Sequence, residues 1–463
     1  MTFFSTIVFK KATPSLYKEP FNFKLSNPRS SCYNNFMLHS ILFGKIVSSI
    51  TRALNLGSGS TWPGHLVLEN DPKFIRKIFK KNPKLKVILI AGTNGKTTTT
   101  KALAHVLNSQ SYSTLENSSG ANLINGLVSL LVTNSSLTGK IAAEVLLFEV
   151  DENTLPLVLH EIPNPVGIIL LNLFRDQLDR YGEINTIAEN WKIELEKLTD
   201  RTLVIANADD PLIAYIAAFS RRKVFFSVND DFKKGKELSH AVDSITCPKC
   251  NSRLLYSKIS YSHLGNYSCI NCSFKNPESV TLEFKTTLLG IYNQYNLTSV
   301  LLCAKELFQI KPVASSDSLT SFKPAFGRQE TIEVDGKKIM LLLSKNPTGF
   351  NESLKVIVEN KSTSLLILLN DRIPDGRDIS WIWDVDFEIL QKLNLHIFVS
   401  GDRAYDMANR LLFAGVSHEI TENFETGYND ALKATNKNQT LTILPTYSAM
   451  LEVRKLVSGR KIL

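Results

Sequence analysis

Short segments that are apolar almost throughout recur along this chain, and stretches with helical spacing separate them. Five of them lie in the first half: KVILIAG (86–92), EVLLFEVDE (144–152), GIILLNL (167–173), TLVIANADD (202–210) and KVFFSV (223–228). A strand that is apolar on both faces must be covered on both faces, which is the arrangement of parallel sheets in α/β proteins. The sequence therefore predicts an α/β fold with a parallel sheet here.

A second series of the same kind follows nearer the C-terminus. It consists of KIMLLLS (338–344), LLILLN (365–370), LHIFVSG (395–401) and LTILPT (441–446). Between the two series, a polar stretch with paired cysteines interrupts the pattern, and β-rich sequence resumes at VTLEFKTTLLG (280–290). We therefore predict a central domain over residues 37–318 with a small insert at about 243–277, and a Rossmann-like C-terminal α/β domain over 322–463.

Composition narrows the function classes. The net charge of +9 suits an anionic partner, but no Lys/Arg run is interleaved with aromatic residues, which argues against nucleic acid. No stretch reaches the roughly 18 apolar residues of a membrane span. Four of the six cysteines form two close pairs, a pattern of metal binding in a reducing compartment rather than of disulfides. We expect a cytoplasmic protein, with association with the inner face of the cell membrane left open.

GTNGKTTTT (92–100) follows a predicted strand and precedes a predicted helix. Glycines allow backbone N–H groups to surround phosphate oxygens, and a helix N-terminus adds its dipole. Lys96 is expected to reach the β- and γ-phosphates, and Thr97 to hold Mg²⁺. The general pattern has glycine six residues before the lysine, where this chain has Ile90; a chance Gly-Lys-Thr turn is the alternative.

The cysteine pairs form C-P-K-C and, after eighteen residues, C-I-N-C, which is zinc-ribbon spacing. Four thiolates complete a closed tetrahedral shell around Zn²⁺ and leave no position for water, so the metal should be structural. The predicted ligands are Cys247, Cys250, Cys269 and Cys272. A nucleic-acid-binding ribbon and a pair of disulfides are the alternatives, but the insert lacks a basic cluster.

The N-terminus allows two interpretations. Residues 1–36 hold five basic residues and one acidic residue, as in a transit peptide or a disordered tail. The favoured interpretation is that translation starts at Met37, where an amphipathic helix begins. Its apolar residues are Ile41, Leu42, Ile46, Ile50 and Leu54. We expect this helix to pack on the central domain, with a membrane surface as the alternative.

The shortened loop GTNGKT resembles the ATP-binding loop of the Mur ligase and folylpolyglutamate synthetase superfamily. Its members phosphorylate a carboxylate with ATP, and an amine then attacks the acyl phosphate. Further segments resemble the superfamily in the order it uses: NSSGANLINGL (117–127), FEVDE (148–152), LNLFRDQLDRYGE (171–183), NADDP (207–211), GIYNQYN (290–296) and FGRQE (326–330). The resemblance implies a Mur-ligase-like central domain that uses ATP and Mg²⁺.

The same resemblance implies roles for individual residues. Glu149 matches a Mg²⁺-binding glutamate, Asn293 an asparagine that meets adenine, and Arg328 an arginine that approaches the phosphates. The implied ATP-binding residues are Gly92, Thr93, Asn94, Gly95, Lys96, Thr97, Thr98, Asn293 and Arg328. Lys96 and Glu149 are implied to act in catalysis, and Thr97 and Glu149 to hold Mg²⁺. A carbamylated lysine of the superfamily would fall at Lys192, where a solvated helix lysine is the favoured interpretation.

Several features resemble MurT-type subunits more than other Mur ligases. Gln177 stands where others have a metal-associated histidine, and SKNPTGFNESL (344–354) lacks the aspartate usual before Asn-Pro. DGRDISWIWDVDFE (375–388) and GDRAYDMANRL (401–411) resemble MurT C-terminal domains, and the cysteine insert lies inside the central domain.

An amidation needs ammonia, and this chain shows no glutaminase of its own. Cys32 lies in the doubtful leader, and Cys303 lies in an apolar helical run. MurT-type subunits pair with a GatD-type glutaminase, and the resemblance implies that an aspartate of DGRD completes its catalytic triad. By position this is Asp378, with Asp375 as the fallback and helix capping as the alternative role. Trp381 and Trp383 are expected at the subunit interface, or in the core.

The implied function is ATP-dependent amidation of the α-carboxylate of D-glutamate in the stem peptide of lipid II. The product would be D-isoglutamine, formed through an acyl phosphate with ammonia from the GatD-type partner. One alternative is an amino-acid-adding ligase of the muropeptide or folylpolyglutamate type. Another is a nucleotide- or nucleic-acid-binding module. The preference for lipid I or lipid II stays open.

Overall fold

The computed structural model describes residues 30–53, 61–117, 121–176, 183–233, 242–323 and 327–458. The predicted leader as far as residue 29, Leu54 and Gln177 lie outside these residues. None of the helices within the described ranges is both long enough and apolar enough to cross a membrane.

The first sheet has six strands in the order β2-β3-β1-β4-β5-β6. The elements up to its last strand are α1 (Ser30–Ala53), α2 (Trp62–Asn70), α3 (Phe74–Lys81), β1 (Lys86–Ala91), α4 (Lys96–Ser109), β2 (Thr114–Glu116), α5 (Ile124–Asn134), β3 (Val145–Val150), α6 (Leu155–Glu161), β4 (Gly167–Leu170), α7 (Ile184–Lys197), β5 (Leu203–Asn207), α8 (Pro211–Ala217) and β6 (Lys223–Phe226). Every pairing is parallel, so the predicted parallel sheet is confirmed.

The apolar runs form strands because both faces of this sheet are covered. Within β1, Leu89 and Ala91 contribute to one core, while Ile88 and Ile90 contribute to the core on the opposite face. All four side chains are fully buried. Successive strand residues point to opposite faces, so a strand between two cores must be apolar at every position.

Helix α1 packs with only one side on the central domain. Ile41 is fully buried, and a Cβ at Gly44 would meet Val67 of α2 and Val132 of α5. Leu42, Ile46 and Ile50, which were predicted to share the packed face, are instead exposed. The apolar periodicity was therefore correct, but it did not identify the covered face.

The cysteine insert follows β6 as a hairpin of two antiparallel strands. This part contains a 3₁₀ turn (Asp230–Phe232), β7 (Leu254–Tyr261), β8 (Leu264–Cys269), α9 (Ile291–Phe308) and α10 (Pro312–Leu319). The β-rich prediction for 280–290 was wrong, since among the described residues only Val280 pairs there, through one bridge to Phe226. Its alternating apolar side chains pack on the core without forming a ladder.

The second sheet also has six strands, in the order β13-β12-β11-β14-β10-β9. Its elements are β9 (Arg328–Val334), β10 (Lys337–Leu342), α11 (Pro347–Glu359), β11 (Ser364–Leu368), 3₁₀ turns (Ser380–Asp384 and Phe387–Lys392), β12 (His396–Ser400), α12 (Ala404–Phe413), β13 (Glu419–Ile420), α13 (Phe424–Ala434), β14 (Thr440–Pro445) and α14 (Tyr447–Ser458). Only β9 is antiparallel to its neighbour, so the sheet is mixed. This confirms a C-terminal α/β unit.

Candidate active site

The glycine loop connects β1 to α4 at the C-terminal edge of the first sheet. Gly95 has a φ of 91°, a region that favours glycine. A Cβ at Gly95 would lie 2.1 Å from Asn296 Oδ1, so helix α9 and the loop meet at a distance that only glycine allows. The first N–H groups of α4 face this loop, as at any helix N-terminus, and can bind phosphate oxygens.

The segment after β4 holds the loop from the other side. Thr93 N–H donates to the Asn172 carbonyl at 2.9 Å, and Asn94 N–H donates to Asn172 Oδ1 at 2.8 Å. Phe174 N–H donates to Thr93 Oγ1 at 3.0 Å. Two of the predicted ATP-binding residues therefore use their N–H groups to fix the loop to its own domain.

Lys96 begins α4 and is almost completely buried. Its ammonium donates to the carbonyl oxygens of Gly92 and Thr93 and lies 3.3 Å from Glu152 Oε1. Glu152 is buried as well, and Trp191 Nε1–H donates to its backbone carbonyl at 2.7 Å. The sequence analysis did not single out Glu152, although it is the last residue of the FEVDE segment.

Glu149 lies near the end of β3 and is buried. Asn117 fixes its backbone through two hydrogen bonds of 2.9 and 3.1 Å. Arg328 begins β9 of the second sheet, and its charge interacts with that of Glu149. Burial lowers the pKa of Arg328, an effect that Glu149 opposes. An arginine stays charged in proteins, so Arg328 adds a positive charge from the second unit to the surroundings of Glu149.

Asp176 and Lys345 form an ion pair between the two units. Burial raises the pKa of Asp176, while the charge of Lys345 opposes this. Burial disfavours the ammonium of Lys345, but the carboxylates of Asp176 and Glu152 outweigh it and raise the pKa. Asp176 Oδ1 is buried and has no hydrogen-bond partner among the described residues. Asn346 Nδ2 donates to Asn94 Oδ1 at 3.1 Å beside this pair.

A cleft lies between the loop, α9 and the second sheet. Five of the predicted ATP-binding residues line it: Asn94, Gly95, Thr98, Asn293 and Arg328. Its walls also include Tyr261 from the hairpin of the insert, Lys345, and Glu352 of α11. The other predicted residues do not line it: Gly92, Thr93, Lys96, Thr97 and Glu149.

A second cavity adjoins the first. Its lining includes Asp176, Lys345, Asp378, Trp381 and Asp384. Lys345 lines both cavities, so its side chain lies where they meet. The sequence analysis assigned no role to Asp176 or Lys345; the only signal was a lysine directly before Asn-Pro in a segment already noted as unusual.

The two aspartates of DGRD differ in their surroundings. Asp375 is buried, and its carboxylate accepts from Ser448 N–H at 2.7 Å and from Ser448 Oγ. Asp378 is exposed, and its Oδ1 accepts from Ser380 N–H at 2.8 Å, which is the capping role considered as an alternative. Asp378 can still present Oδ2 to a partner. Trp383 is exposed and packs on Phe413, whereas Trp381 packs on Phe350.

The four cysteines of the insert come together as predicted. Their sulfur atoms all lie within 4.8 Å of one another. Cys247 Sγ is 3.7 Å from Cys272 Sγ, and Cys250 Sγ is 3.4 Å from Cys269 Sγ. Zn–S bonds of about 2.3 Å in a tetrahedron require S–S separations of about 3.8 Å. The geometry therefore fits a structural metal ion.

Lys192 and Cys303, two further residues considered in the sequence, pack against other parts of the protein. Lys192 pairs with Glu189 at 3.0 Å and lies over the ring of Phe219 on the outside of α7. The Lys192 side chain is only 18% exposed, so it is more covered than the solvated helix lysine that the sequence favoured. Cys303 is fully buried in α9, and burial raises the pKa of its thiol well above the usual value. A buried neutral thiol is inert as a nucleophile.

Comparisons with known proteins agree with this architecture. Residues 90–304 match the Mur ligase middle domain, and residues 343–450 match the MurT ligase C-terminal family. The MurT subunit of lipid II isoglutaminyl synthase (glutamine-hydrolyzing) from Streptococcus pneumoniae is 33% identical over 88% of this chain and 94% of its own length. This chain belongs to the MurT family.

A second MurT relative and two solved structures of the same fold are also similar to this chain. The MurT subunit from Staphylococcus aureus is 29% identical over 82% of this chain and 89% of that protein. A pseudomurein peptide ligase type C from Methanothermus fervidus has the same fold, with a TM-score of 0.63, 20% identity and coverage of 85% of this chain and 84% of that one. MurF from Thermotoga maritima, solved with ADP, has a TM-score of 0.60 and 15% identity over 85% of this chain and 84% of that one. As a MurT-family chain, this protein is a ligase subunit of peptidoglycan biosynthesis.

Proposed function

We propose that this MurT-family chain uses ATP to amidate the α-carboxylate of D-glutamate in the stem peptide of lipid II, giving D-isoglutamine. Ammonia would come from a GatD-type glutaminase bound to the C-terminal domain. The relatives from S. pneumoniae and S. aureus are named as the MurT subunit of an enzyme of this activity. In this proposal residues 37–318 bind ATP, and residues 322–463 bind the partner subunit.

The observation that carries the proposal is the pair of cavities that meet at Lys345. The first is bounded by the glycine loop, which suits a nucleotide. The second is lined by Asp378, the residue proposed to face the glutaminase. An enzyme that makes an acyl phosphate at one place and receives ammonia from another needs the two places to lie close together, because ammonia released into water becomes protonated.

The first chemical step forms an acyl phosphate. A carboxylate oxygen of D-glutamate attacks the γ-phosphorus, the new O–P bond forms, and the bond to the β-phosphate oxygen breaks to release ADP. The phosphoryl oxygens carry the developing charge, and Lys96, Arg328 and Lys345 are the cations that would stabilise it. The N–H groups at the start of α4 would hold the β-phosphate.

The second step replaces phosphate with nitrogen. Ammonia attacks the acyl carbon, the bond from that carbon to the phosphate oxygen breaks, and the nitrogen gives one proton to the released phosphate, which leaves the amide. Asp176 lines the cavity from which ammonia would arrive, and its carboxylate could orient the incoming N–H groups. Asp378 Oδ2 would orient the imidazole of the partner's catalytic histidine.

The donor set also suits the expected metals. Mg²⁺ prefers oxygen ligands, and Thr97 and Glu149 are the proposed donors. Glu152 is a further buried carboxylate, and the unpartnered Asp176 Oδ1 could accept a magnesium-bound water. When bound, the ion would neutralise charge on the phosphates. The sulfur cluster would hold Zn²⁺ as a structural ion.

The decisive variant is Lys96→Ala, assayed with the glutaminase partner, lipid II, ATP and glutamine. We expect ADP formation to fall at least about a thousandfold, because the ammonium contacts both the loop and Glu152. Lys101→Ala is the matched control: Lys101 lies on the same helix but pairs with Glu116. Unchanged ADP formation in Lys96→Ala would refute the assignment of the loop.

A second assay separates amidation from amino-acid addition. The wild-type chain without its partner should amidate lipid II when ammonium is supplied at high concentration. It should add none of the common amino acids to the same substrate. Addition of an amino acid at a rate above that of ammonium would support the alternative ligase.

A further inference from the structure

Helix α1 has two apolar sides. Met37 and Ile41 are buried against the central domain. On the opposite side, Leu42, Ile46 and Ile50 are 46%, 49% and 51% exposed, with Leu38 and Phe43 beside them at 38% and 42%. Residues four apart lie on one stripe of a helix, so this outer face is continuous. We call these five side chains the outer face of α1.

The basic charge of the chain is concentrated around this helix. Residues 37–85 carry eight Lys and Arg against two Asp and Glu, whereas residues 86–463 carry forty against forty-one. Helix α1 itself contains no acidic residue. The net charge of +9 is therefore a property of the N-terminal end and is balanced elsewhere.

Several of these cations are free to act on an external partner. Lys80 and Lys84 are exposed and have no ion-pair partner among the described residues. Lys84 lines a groove together with Lys81, Lys86 and Lys140. A Cβ at the adjoining Gly139 would meet Met37 of α1 at 2.7 Å, so this groove borders the N-terminal part of the helix.

We propose that the outer face of α1 docks on the surface of a phospholipid bilayer containing anionic lipids. An exposed apolar stripe without acidic residues, together with a lysine-lined groove at the N-terminal part of the helix, suits binding in the interface between headgroups and acyl chains. No described helix could span the membrane, so the contact is peripheral. This inference does not depend on the reaction proposed above.

The position of α1 would bring a docked bilayer close to the loop that resembles the substrate-side loop of Mur ligases. Helix α1 packs on α5, where Gly44 meets Val132. Helix α5 begins at Ile124, directly after the loop that resembles the substrate-side loop of Mur ligases. From Ile124 to Val132 the helix rises about 12 Å. A bilayer against α1 would thus lie one helix away from the segment expected to meet a lipid-linked peptide.

The test is flotation of the full chain with vesicles, without nucleotide or peptide substrate. We expect binding to phosphatidylcholine vesicles that contain about one-third phosphatidylglycerol, and at least about tenfold weaker binding to phosphatidylcholine alone. Raising the salt from about 0.1 M to about 0.5 M should weaken binding severalfold. Absence of binding to the anionic vesicles would overturn the proposal.

The variant Leu42→Ser/Ile46→Ser/Ile50→Ser should lose at least about tenfold in affinity for anionic vesicles. The matched control is Leu157→Ser/Ile193→Ser/Leu255→Ser, three apolar residues of similar exposure (47%, 44% and 53%) on other elements. The control should bind as wild type. The double variant Lys80→Glu/Lys84→Glu should lose about tenfold or more in affinity for anionic vesicles.

Two further measurements distinguish other occupants of this face. Both triple variants should keep the thermal stability of wild type and its ADP formation with a soluble stem-peptide substrate, so failure of vesicle binding is separable from failure of the proposed reaction. If the α1 variant instead changes the oligomeric state, or loses the glutaminase partner in gel filtration, a protein covers the face and the bilayer proposal is overturned.

Discussion

Two buried aspartates of this molecule are each paired with a lysine, but they differ in how completely their carboxylates are hydrogen-bonded. Asp209 accepts from Lys233 Nζ at 3.0 Å, from Ser227 Oγ at 2.7 Å, from Tyr295 OH at 2.7 Å and from Asn276 Nδ2 at 3.3 Å. Burial raises its pKa, and Lys233 opposes this. Each oxygen of that carboxylate therefore accepts two hydrogen bonds from within the fold.

Asp176 is also buried, whereas its partner Lys345 is 27% exposed, and the pair is incomplete. Asp176 Oδ1 lacks a hydrogen-bond partner within the described ranges, and the pair joins two different sheets at the edge of both cavities. A buried polar atom without a partner costs about 1–3 kcal/mol, so Asp176 Oδ1 is able to accept a hydrogen bond from a ligand or a water. The comparison teaches that a saturated pair stabilises, whereas an unsaturated pair is available for chemistry.

The largest effect is expected on the saturated pair. Lys233→Ala should lower the free energy of unfolding by about 3–5 kcal/mol, because it leaves the Asp209 charge buried without its cation. Thermal and chemical denaturation measure this. Lys258→Ala is the control: Lys258 pairs with the exposed Asp230, and its loss should cost at most about 1 kcal/mol. Equal stability of the two variants would remove the distinction.

The unsaturated pair should respond in activity instead. Asp176→Asn keeps the size of the side chain but removes the charge, and we expect amidation to fall about a hundredfold, or about 2.7 kcal/mol in the barrier. The free energy of unfolding should change by less than about 2 kcal/mol. A loss of stability as large as that of Lys233→Ala, with normal turnover per folded molecule, would contradict the comparison.

The two aspartates of DGRD extend the same contrast. Asp378→Asn should lower glutamine-driven amidation about tenfold or more and leave ammonium-driven amidation unchanged, because only the partner's imidazole is affected. Asp375→Asn should instead lower stability by about 1–3 kcal/mol, since it disturbs the bonds from Ser448. If Asp378→Asn impairs both nitrogen sources equally, Asp378 has another role.

The smallest effect concerns pH. Burial raises the pKa of Asp176 above its ordinary value of 3.8. Between 3.8 and this raised pKa the folded chain binds a proton that the unfolded chain does not, so this group adds stability as pH falls and removes it as pH rises. Amidation should change in the opposite direction, because protonation cancels the charge. Subtracting the pH profiles of Asp176→Asn from those of wild type tests both signs.

Features that depend on neighbouring residues were predictable from the sequence. The glycine loop, its strand and its helix follow one another directly in the sequence. The spacing of the four cysteines likewise predicts that their sulfur atoms come together. The long buried strands were predicted for the same reason. The short edge strands β2 and β13, of three and two residues, gave no signal because so few residues cannot show a period.

Features that depend on distant residues were not predictable. Asp176 and Lys345 are 169 residues apart, and although each lies in a segment noted in the sequence, nothing local indicates that the two side chains meet. The same holds for α1, where periodicity predicted an amphipathic helix but most of its apolar residues lie on the exposed side. Which side is covered depends on Val67 and Val132, which belong to other helices.

The insert has a consequence beyond its own folding. Ser260 of its hairpin lies 2.7 Å from Tyr295 OH, and Tyr295 stands between Asn293 and Asn296 on α9. The next hairpin residue, Tyr261, forms part of the wall of the nucleotide cleft. The thiol cluster is thus mechanically joined to the surface expected to contact the base. Oxidation of those thiols, or removal of their metal ion, would therefore first weaken the binding of the nucleotide.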